Sequence, residues 1–250
     1  MTILGISASA RENGVTAAGV KAVLEATGEP YECVSIAQFV IGGCRGCTRC
    51  AADNLCKVED DWPLIAEKML AADALVFGAP TYYGMINALG HACLERTFCF
   101  RHREVFSLAG KLGVAVGVGR GAEDSSPTIE YICRMMTSNL MAVVGTVQAE
   151  GYSQCYTCGY GHECAVGGVV RTHGFLERID TSRCPPRFAQ QETAVLTAYK
   201  VGRTLGSILQ ARGETVPARQ GSQGPTRTPW TAPIRASYAA ADSTKGAGTS

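Results

Sequence analysis

Ile3-Leu-Gly-Ile-Ser-Ala-Ser-Ala-Arg-Glu-Asn-Gly-Val-Thr16 sets an apolar run directly before a hydroxyl-rich turn and a helix start. Ile3 to Ser7 suits a parallel strand covered on both faces. Beyond Asn13-Gly14, the residues Val20, Val23 and Leu24 recur on one helical face, and Gly28 and Pro30 end that helix. The same rhythm continues downstream. Tyr31 to Ile36 reads as a second strand, and a cysteine-bearing loop follows it. Asp61-Trp62-Pro63 opens a helix with Trp62, Ile65, Ala66 and Met69 at helical spacing. Ala74 to Gly78 is a third strand, followed by a helix from about Met85 to Phe98. Leu112 to Val118 is a fourth strand with a helix through Ile129 to Leu140, and Ala142 to Val147 is a fifth.

This alternation predicts an α/β protein with a flavodoxin-like, doubly wound, five-stranded parallel sheet of order 2-1-3-4-5. Ligands in such sheets bind at the carboxyl edge, beside the switch point between strands one and three. Three loops reach that edge. Ser7 to Thr16 offers hydroxyls and backbone donors before a helix N-terminus, where a phosphate meets free N–H groups and the positive end of the helix dipole. The loop lacks a P-loop lysine and a G-x-G-x-x-G pattern, which argues against ATP and against a dinucleotide as primary ligand. A flavin mononucleotide (FMN), with one terminal phosphate, fits better. Pro80-Thr-Tyr-Tyr-Gly-Met-Ile86 presents aromatic faces and backbone N–H groups to a flat ring. Gly117-Val-Gly-Arg120-Gly121 lets the backbone approach closely.

The loop after the second strand carries Cys44-x2-Cys47-x2-Cys50-x5-Cys56. Cysteines at steps of three can turn their sulfurs toward one point, and the fourth closes a four-thiolate cage. Zinc sites usually pair two C-x2-C units across a longer spacer, so this run is in the iron–sulfur style, with zinc as the alternative. The 23 basic and 22 acidic residues give a net charge of +1 and no basic stripe, so nucleic acid is not the expected partner. The N-terminus lacks the basic and apolar regions of a signal peptide, and no stretch approaches the ~18 apolar residues of a membrane span. A soluble, cytoplasmic protein is expected, with reduced thiols available to metals and an oxygen-poor host.

Gly5-Ile-Ser-Ala-Ser-Ala-Arg-Glu-Asn-Gly-Val-Thr16 resembles the G-S-P-R-x-x-G-N-T phosphate loop of the NADPH-dependent FMN reductase superfamily. Pro80-Thr-Tyr-Tyr-Gly84 is similar to its second flavin loop. With the compact cysteine run, residues 1–150 resemble an iron–sulfur flavoprotein, a group typical of methanogens and other anaerobes. The resemblance implies FMN at the sheet edge and a 4Fe–4S cluster on Cys44, Cys47, Cys50 and Cys56. It also implies homodimers or homotetramers, with the cluster close to a flavin across a subunit interface. Carried over by position, Ser7, Ser9, Arg11, Asn13 and Thr16 hold the phosphate. Thr81, Tyr82, Tyr83, Gly84, Met85, Ile86, Gly119 and Gly121 surround the ring, with Pro80 and Arg120 in the same loops. Ala10 replaces the motif's proline, and Val15 replaces its asparagine, leaving a backbone N–H in place of one side-chain donor.

Residues 150–186 break the rhythm with five glycines before Val169 and four cysteines, and read as a Cys/Gly-rich insertion. Cys155-x2-Cys158-x5-Cys164, with Cys184, fits a second metal site under the same spacing rules, a cluster or zinc, and fits free loop thiols about equally. His162 reads as a polar loop residue. Cys33, Cys93, Cys99 and Cys133 read as buried small hydrophobes. A helix over 187–212 follows, with Ala194, Ala198, Val201, Leu205 and Ile208 on one stripe. Residues 213–250 are of low complexity, a tail or an oligomer arm on a neighbouring subunit. The FMN-binding core is 1–149, including the cluster loop 42–58.

The function expected is electron transfer from a low-potential, ferredoxin-like one-electron carrier to an acceptor, through 4Fe–4S and FMN. No catalytic side chain is assigned. Two alternatives stand beside it: a non-catalytic electron-relay subunit of a larger redox complex, and an NAD(P)H-dependent FMN or quinone reductase with a structural zinc. The cluster loop leaves the sheet one strand away from the switch point, so reaching a flavin is expected to require a neighbouring chain.

Overall fold

The computed structural model describes residues 1–180, 182 and 184–215, so the expected tail lies outside the described residues from position 216 on. Its strands are β1 (Ile3–Ser7), β2 (Tyr31–Ser35), β3 (Ala74–Tyr82), β4 (Met85–Ile86), β5 (Leu112–Gly119) and β6 (Ala142–Glu150). Five of them pair in parallel in the order β2-β1-β3-β5-β6, the order expected for the five predicted strands. The short β4 folds back antiparallel on the end of β3, with Tyr82 opposite Met85.

The helices are α1 (Val15–Thr27), α2 (Trp62–Ala71), α3 (Ala88–Arg96), α4 (Ser126–Ser138), α5 (Gly168–His173) and α6 (Glu192–Thr215). Side chains alternate across a strand, so β3 serves two cores at once. Val76 joins Val114, Val116 and Val147 beneath Val20, Val23 and Leu24 of α1 and Ala198, Leu205 and Leu209 of α6. Leu75 and Phe77 point the other way, toward Met69 of α2, Leu94 of α3 and Met136 of α4. Covering both faces buries β1 and β5 along their whole lengths, which is why those strands are apolar without alternation. Among the described residues no helix is long and apolar enough to cross a membrane.

The C-terminal helix runs over Glu192–Thr215 rather than 187–212, after a 3-10 turn at Phe188–Gln190. Near the cleft the boundaries differ from the periodicity because pairing extends or displaces an element. β3 runs on to Tyr82 because Ala79 and Pro80 pair with Gly117 and Val118, and Thr81 and Tyr82 with β4. That hairpin takes Met85 and Ile86, so α3 starts at Ala88, where Asn87 caps it by accepting from Gly90 N. β6 runs to Glu150, opposite Gly119. Two cysteines also differ: Cys33 is exposed on the edge strand β2 and Cys133 is half-buried, whereas Cys93 and Cys99 are buried as expected.

α6 lies close on α1 because it presents glycine there. A Cβ added at Gly206 would meet the backbone of Thr27, with the carbonyl carbon at 3.0 Å, and one at Gly202 would meet Ala26 Cβ at 2.7 Å. Alanine favours a helix by about 1 kcal/mol over glycine. Backbone cannot rotate aside as a side chain can, so the overpacking cost of about 1–3 kcal/mol should win. Gly206→Ala is therefore expected to lower stability by about 1 kcal/mol in urea denaturation, as the balance of those two effects. A more stable variant would mean that α6 shifts freely on α1.

Candidate functional site

The carboxyl ends of the central strands open on a cleft of about 500 Å³, within the range of small-molecule sites. All three predicted loops meet there. Ser9, Arg11, Val15 and Thr16 come from the first, Pro80, Thr81, Tyr82 and Tyr83 from the second, and Gly119 and Arg120 from the third. The other predicted residues stand behind or beside the walls. Ser7 is buried under the first loop, its Oγ accepting from Ser9 N at 3.5 Å, and Asn13 faces solvent. Gly84, Met85 and Ile86 complete the hairpin, and Gly121 N donates to Asp124 Oδ2 at 3.0 Å.

The first loop is held rigidly. Ala8 N donates to Gly78 O at 2.8 Å, Asn87 Nδ2 to Ala8 O at 2.7 Å, and Arg11 N to Ser9 Oγ at 3.1 Å. Gly14 then caps α1 in an extended conformation without any side-chain acceptor. The first-turn N–H groups at Val15 and Thr16 are thus left for a ligand, and that terminus fits a phosphate. In the third loop a Cβ on Gly119 would lie 2.5 Å from Gly121 O and 2.8 Å from Ser125 N, so the turn closes only around glycine. In the second, Tyr83 (φ 53°) and Gly84 (φ 75°) both have positive φ, the requirement of a two-residue type I′ hairpin. The left-handed region costs a side chain of this size about 1–2 kcal/mol. Tyr83 pays that cost while fully exposed at the mouth of the cleft, a strain that makes sense if its ring serves a ligand.

The cysteine loop is pinned at both ends by a buried ion pair. Arg96, on α3, is 1 % exposed and binds Asp60 through Nη1 to Oδ2 at 2.5 Å and Nη2 to Oδ1 at 3.1 Å. Arg96 Nη1 also donates to Gly42 O at 3.0 Å, and Asp60 Oδ2 accepts from Gly42 N at 3.0 Å. Burial works against the Arg96 charge, but Asp60, with help from Cys56, holds its pKa above the usual value. Between those anchors, Cys44 N donates to Glu95 Oε2 at 2.9 Å, His102 N to Asn54 Oδ1 at 2.8 Å, and Cys50 Sγ lies 3.0 Å from His102 Nε2. Burial raises the Cys50 thiol, its own backbone N–H offsets part of that rise, and Cys56, Cys44 and Cys47 add to it. Cys50 is buried, Cys56 half-buried, and Cys44 and Cys47 are exposed. Among the described residues no three metal-ligating side chains are already gathered into a cage. The donor set and the anchoring nevertheless suit a thiolate-bound cluster, which would draw the sulfurs together.

Residues 1–151 match the family model for NADPH-dependent FMN reductase. An iron–sulfur flavoprotein of Methanocaldococcus jannaschii is 33% identical over 149 residues, 58% of this chain and 76% of that protein. One of Methanosarcina thermophila is 34% identical over 151 residues, 58% of this chain and 78% of that protein. The chain belongs to the iron–sulfur flavoproteins of the FMN reductase family. It is a flavin-dependent oxidoreductase. A solved flavone reductase has the same fold, with a TM-score of 0.53 at 16% identity over 86% of this chain and 65% of that one.

Sequence reasoning missed the fourth wall of this flavoprotein's cleft. Gly151, Tyr152, Ser153 and Gln154 line it, carried there by the extension of β6. Arg11 stacks over Tyr152 with its guanidinium 4.4 Å from the ring centroid, and Nη1 donates to Tyr152 O at 3.0 Å. Arg11 thus ties two walls together. Ser153 Oγ is buried beside the cleft, where it helps to lower the Cys155 thiol. Glu95, Asp60, Arg96 and His102, which organise the cysteine loop, were equally hidden, because nothing local marks them.

The second cysteine group follows that fourth wall. Cys155 Sγ accepts from Gly168 N at 3.2 Å, an interaction that lowers its pKa. Cys164 Sγ lies 3.3 Å from where a Gly167 Cβ would be. Tyr156 is raised by burial and then by Cys184, Glu150 and Cys155, and its hydroxyl lies 3.1 Å from His173 Nε2.

Proposed function

We propose that this chain passes electrons between a ferredoxin-like one-electron carrier and an acceptor. FMN would occupy the cleft, and Cys44, Cys47, Cys50 and Cys56 would hold a 4Fe–4S cluster. The observation that carries this reading is the cysteine loop clamped by the buried Arg96–Asp60 pair, in a protein whose cleft ends in an uncapped helix N-terminus. When bound, flavin supplies one- and two-electron chemistry and a cluster one-electron steps. The N–H groups of Val15 and Thr16 would hold the FMN phosphate, Tyr82, Tyr83 and Gly119 would flank its ring, and the Arg11–Tyr152 contact closes that side of the cleft. The exposure of Cys44 and Cys47 suits an electron partner approaching from solvent. The walls of the cleft include no residue of 42–58, which favours a homodimer or homotetramer in which one chain's cluster serves another's flavin. The reduced thiols suit a cytoplasmic protein.

The test is the visible spectrum of anaerobically purified protein, with reduced ferredoxin and NADPH offered separately. Flavin bands over a broad cluster absorption, both bleached by ferredoxin, are expected. Bleaching by NADPH alone would replace the carrier with a nicotinamide, and zinc without sulfide would overturn the cluster.

A further inference from the structure

Segment 151–186 keeps its shape with almost no core. Among its described residues Val169 is the one fully buried apolar side chain, and its regular structure is a short 3-10 turn and the six-residue α5. Chain segments that cannot bury enough apolar surface need a covalent or metal staple. All four cysteines of the segment are free thiols, so no disulfide supplies one.

Two of its thiols instead lie at adjacent glycines, although among the described residues no three ligating side chains are yet drawn into a cage. Cys155 Sγ bonds to Gly168 N at 3.2 Å, and Cys164 Sγ sits 3.3 Å from the missing Cβ of Gly167. Cys158 is brought back over Cys155, its Sγ 3.6 Å from Cys155 O. Cys184 follows at the far end of the segment, its Sγ 3.7 Å from Asp180 O, and enters the set by the cysteine spacing. An amide N–H bonded to a sulfur is also an interaction that tunes thiolate centres.

We propose that Cys155, Cys158, Cys164 and Cys184 form a second four-thiolate metal centre, taking an iron–sulfur cluster or zinc. Cys155 directly follows Gln154 on the cleft wall. The second centre therefore adjoins this chain's own flavin cleft, as the Cys44–Cys56 loop does not.

The test is iron, zinc and sulfide per chain in anaerobically purified protein, in three forms: unaltered, Cys47→Ser/Cys50→Ser, and Cys158→Ser/Cys164→Ser. The unaltered protein should carry about eight iron, or about four iron with one zinc. The first double variant should keep the second centre's share, and the second should lose that share alone. Metal content unchanged in the second variant, or abolished in the first, would overturn the second centre. Loss of iron specific to the first loop's absence, or a first loop that never held iron, bears only on the first cluster. Should the second variant misfold, limited proteolysis of unaltered protein with and without a chelator decides the matter. Cleavage within 151–186 should appear several-fold faster after chelation, and an unchanged rate would count against the centre.

Discussion

Arg96→Ala is expected to destabilise the protein by about 3–5 kcal/mol, the cost of leaving one partner of a buried ion pair alone. The guanidinium side chain is 0% exposed and the Asp60 side chain 8%. Removing Arg96 leaves the buried Asp60 carboxylate with only the Gly42 and Trp62 backbone N–H groups and no cation, and Gly42 O loses its donor. The damage should also be functional, since Gly42 and Asp60 begin and end the cysteine loop. Iron retained per chain should fall to a small fraction in Arg96→Ala, and substantially in Arg96→Lys, whose single ammonium cannot hold both Asp60 oxygens and the Gly42 carbonyl. Urea denaturation and iron analysis on the same preparations check both parts. A destabilised Arg96→Ala protein with full iron would separate the clamp from the cluster.

Val15→Pro should weaken FMN binding by roughly 10–100-fold, from loss of one charge-assisted hydrogen bond of about 1.5–3 kcal/mol. The substitution removes a single backbone N–H. Proline is well tolerated at the first position of a helix, and the extended Gly14 (ψ 173°) is compatible with a following proline. Val15→Ala keeps the N–H and serves as the control for the lost side chain. Flavin fluorescence titration reads the difference, and equal affinities in the two variants would remove the phosphate from the α1 terminus.

The sheet order could be read from the chain because its signals are short-ranged. Ile3–Ser7 and Leu112–Gly119 are apolar along their length, Gly28 takes the left-handed turn that ends α1, and the thiol spacing from Cys44 to Cys56 spans a single loop. The cleft was legible in part for the same reason: Ser9, Thr16, Tyr82 and Gly119 lie in turns with recognisable chemistry. Asn13 and Gly121 share those turns yet point elsewhere, since orientation within a turn depends on the bonds that close it.

Tyr152 and Arg96 gave no such sign. Arg11 meets Tyr152 across 141 positions, and Arg96 meets Gly42 across 54. Both contacts depend on strand register: Gly119 opposite Glu150 delivers the fourth wall, and the β3–β4 hairpin sets where α3 begins. Secondary structure, turn chemistry and the supply of thiols arise from interactions among near neighbours, and so are written in composition and spacing. Which walls close the cleft and which charge clamps the cysteine loop arise from packing between distant segments, which has no local pattern to betray it.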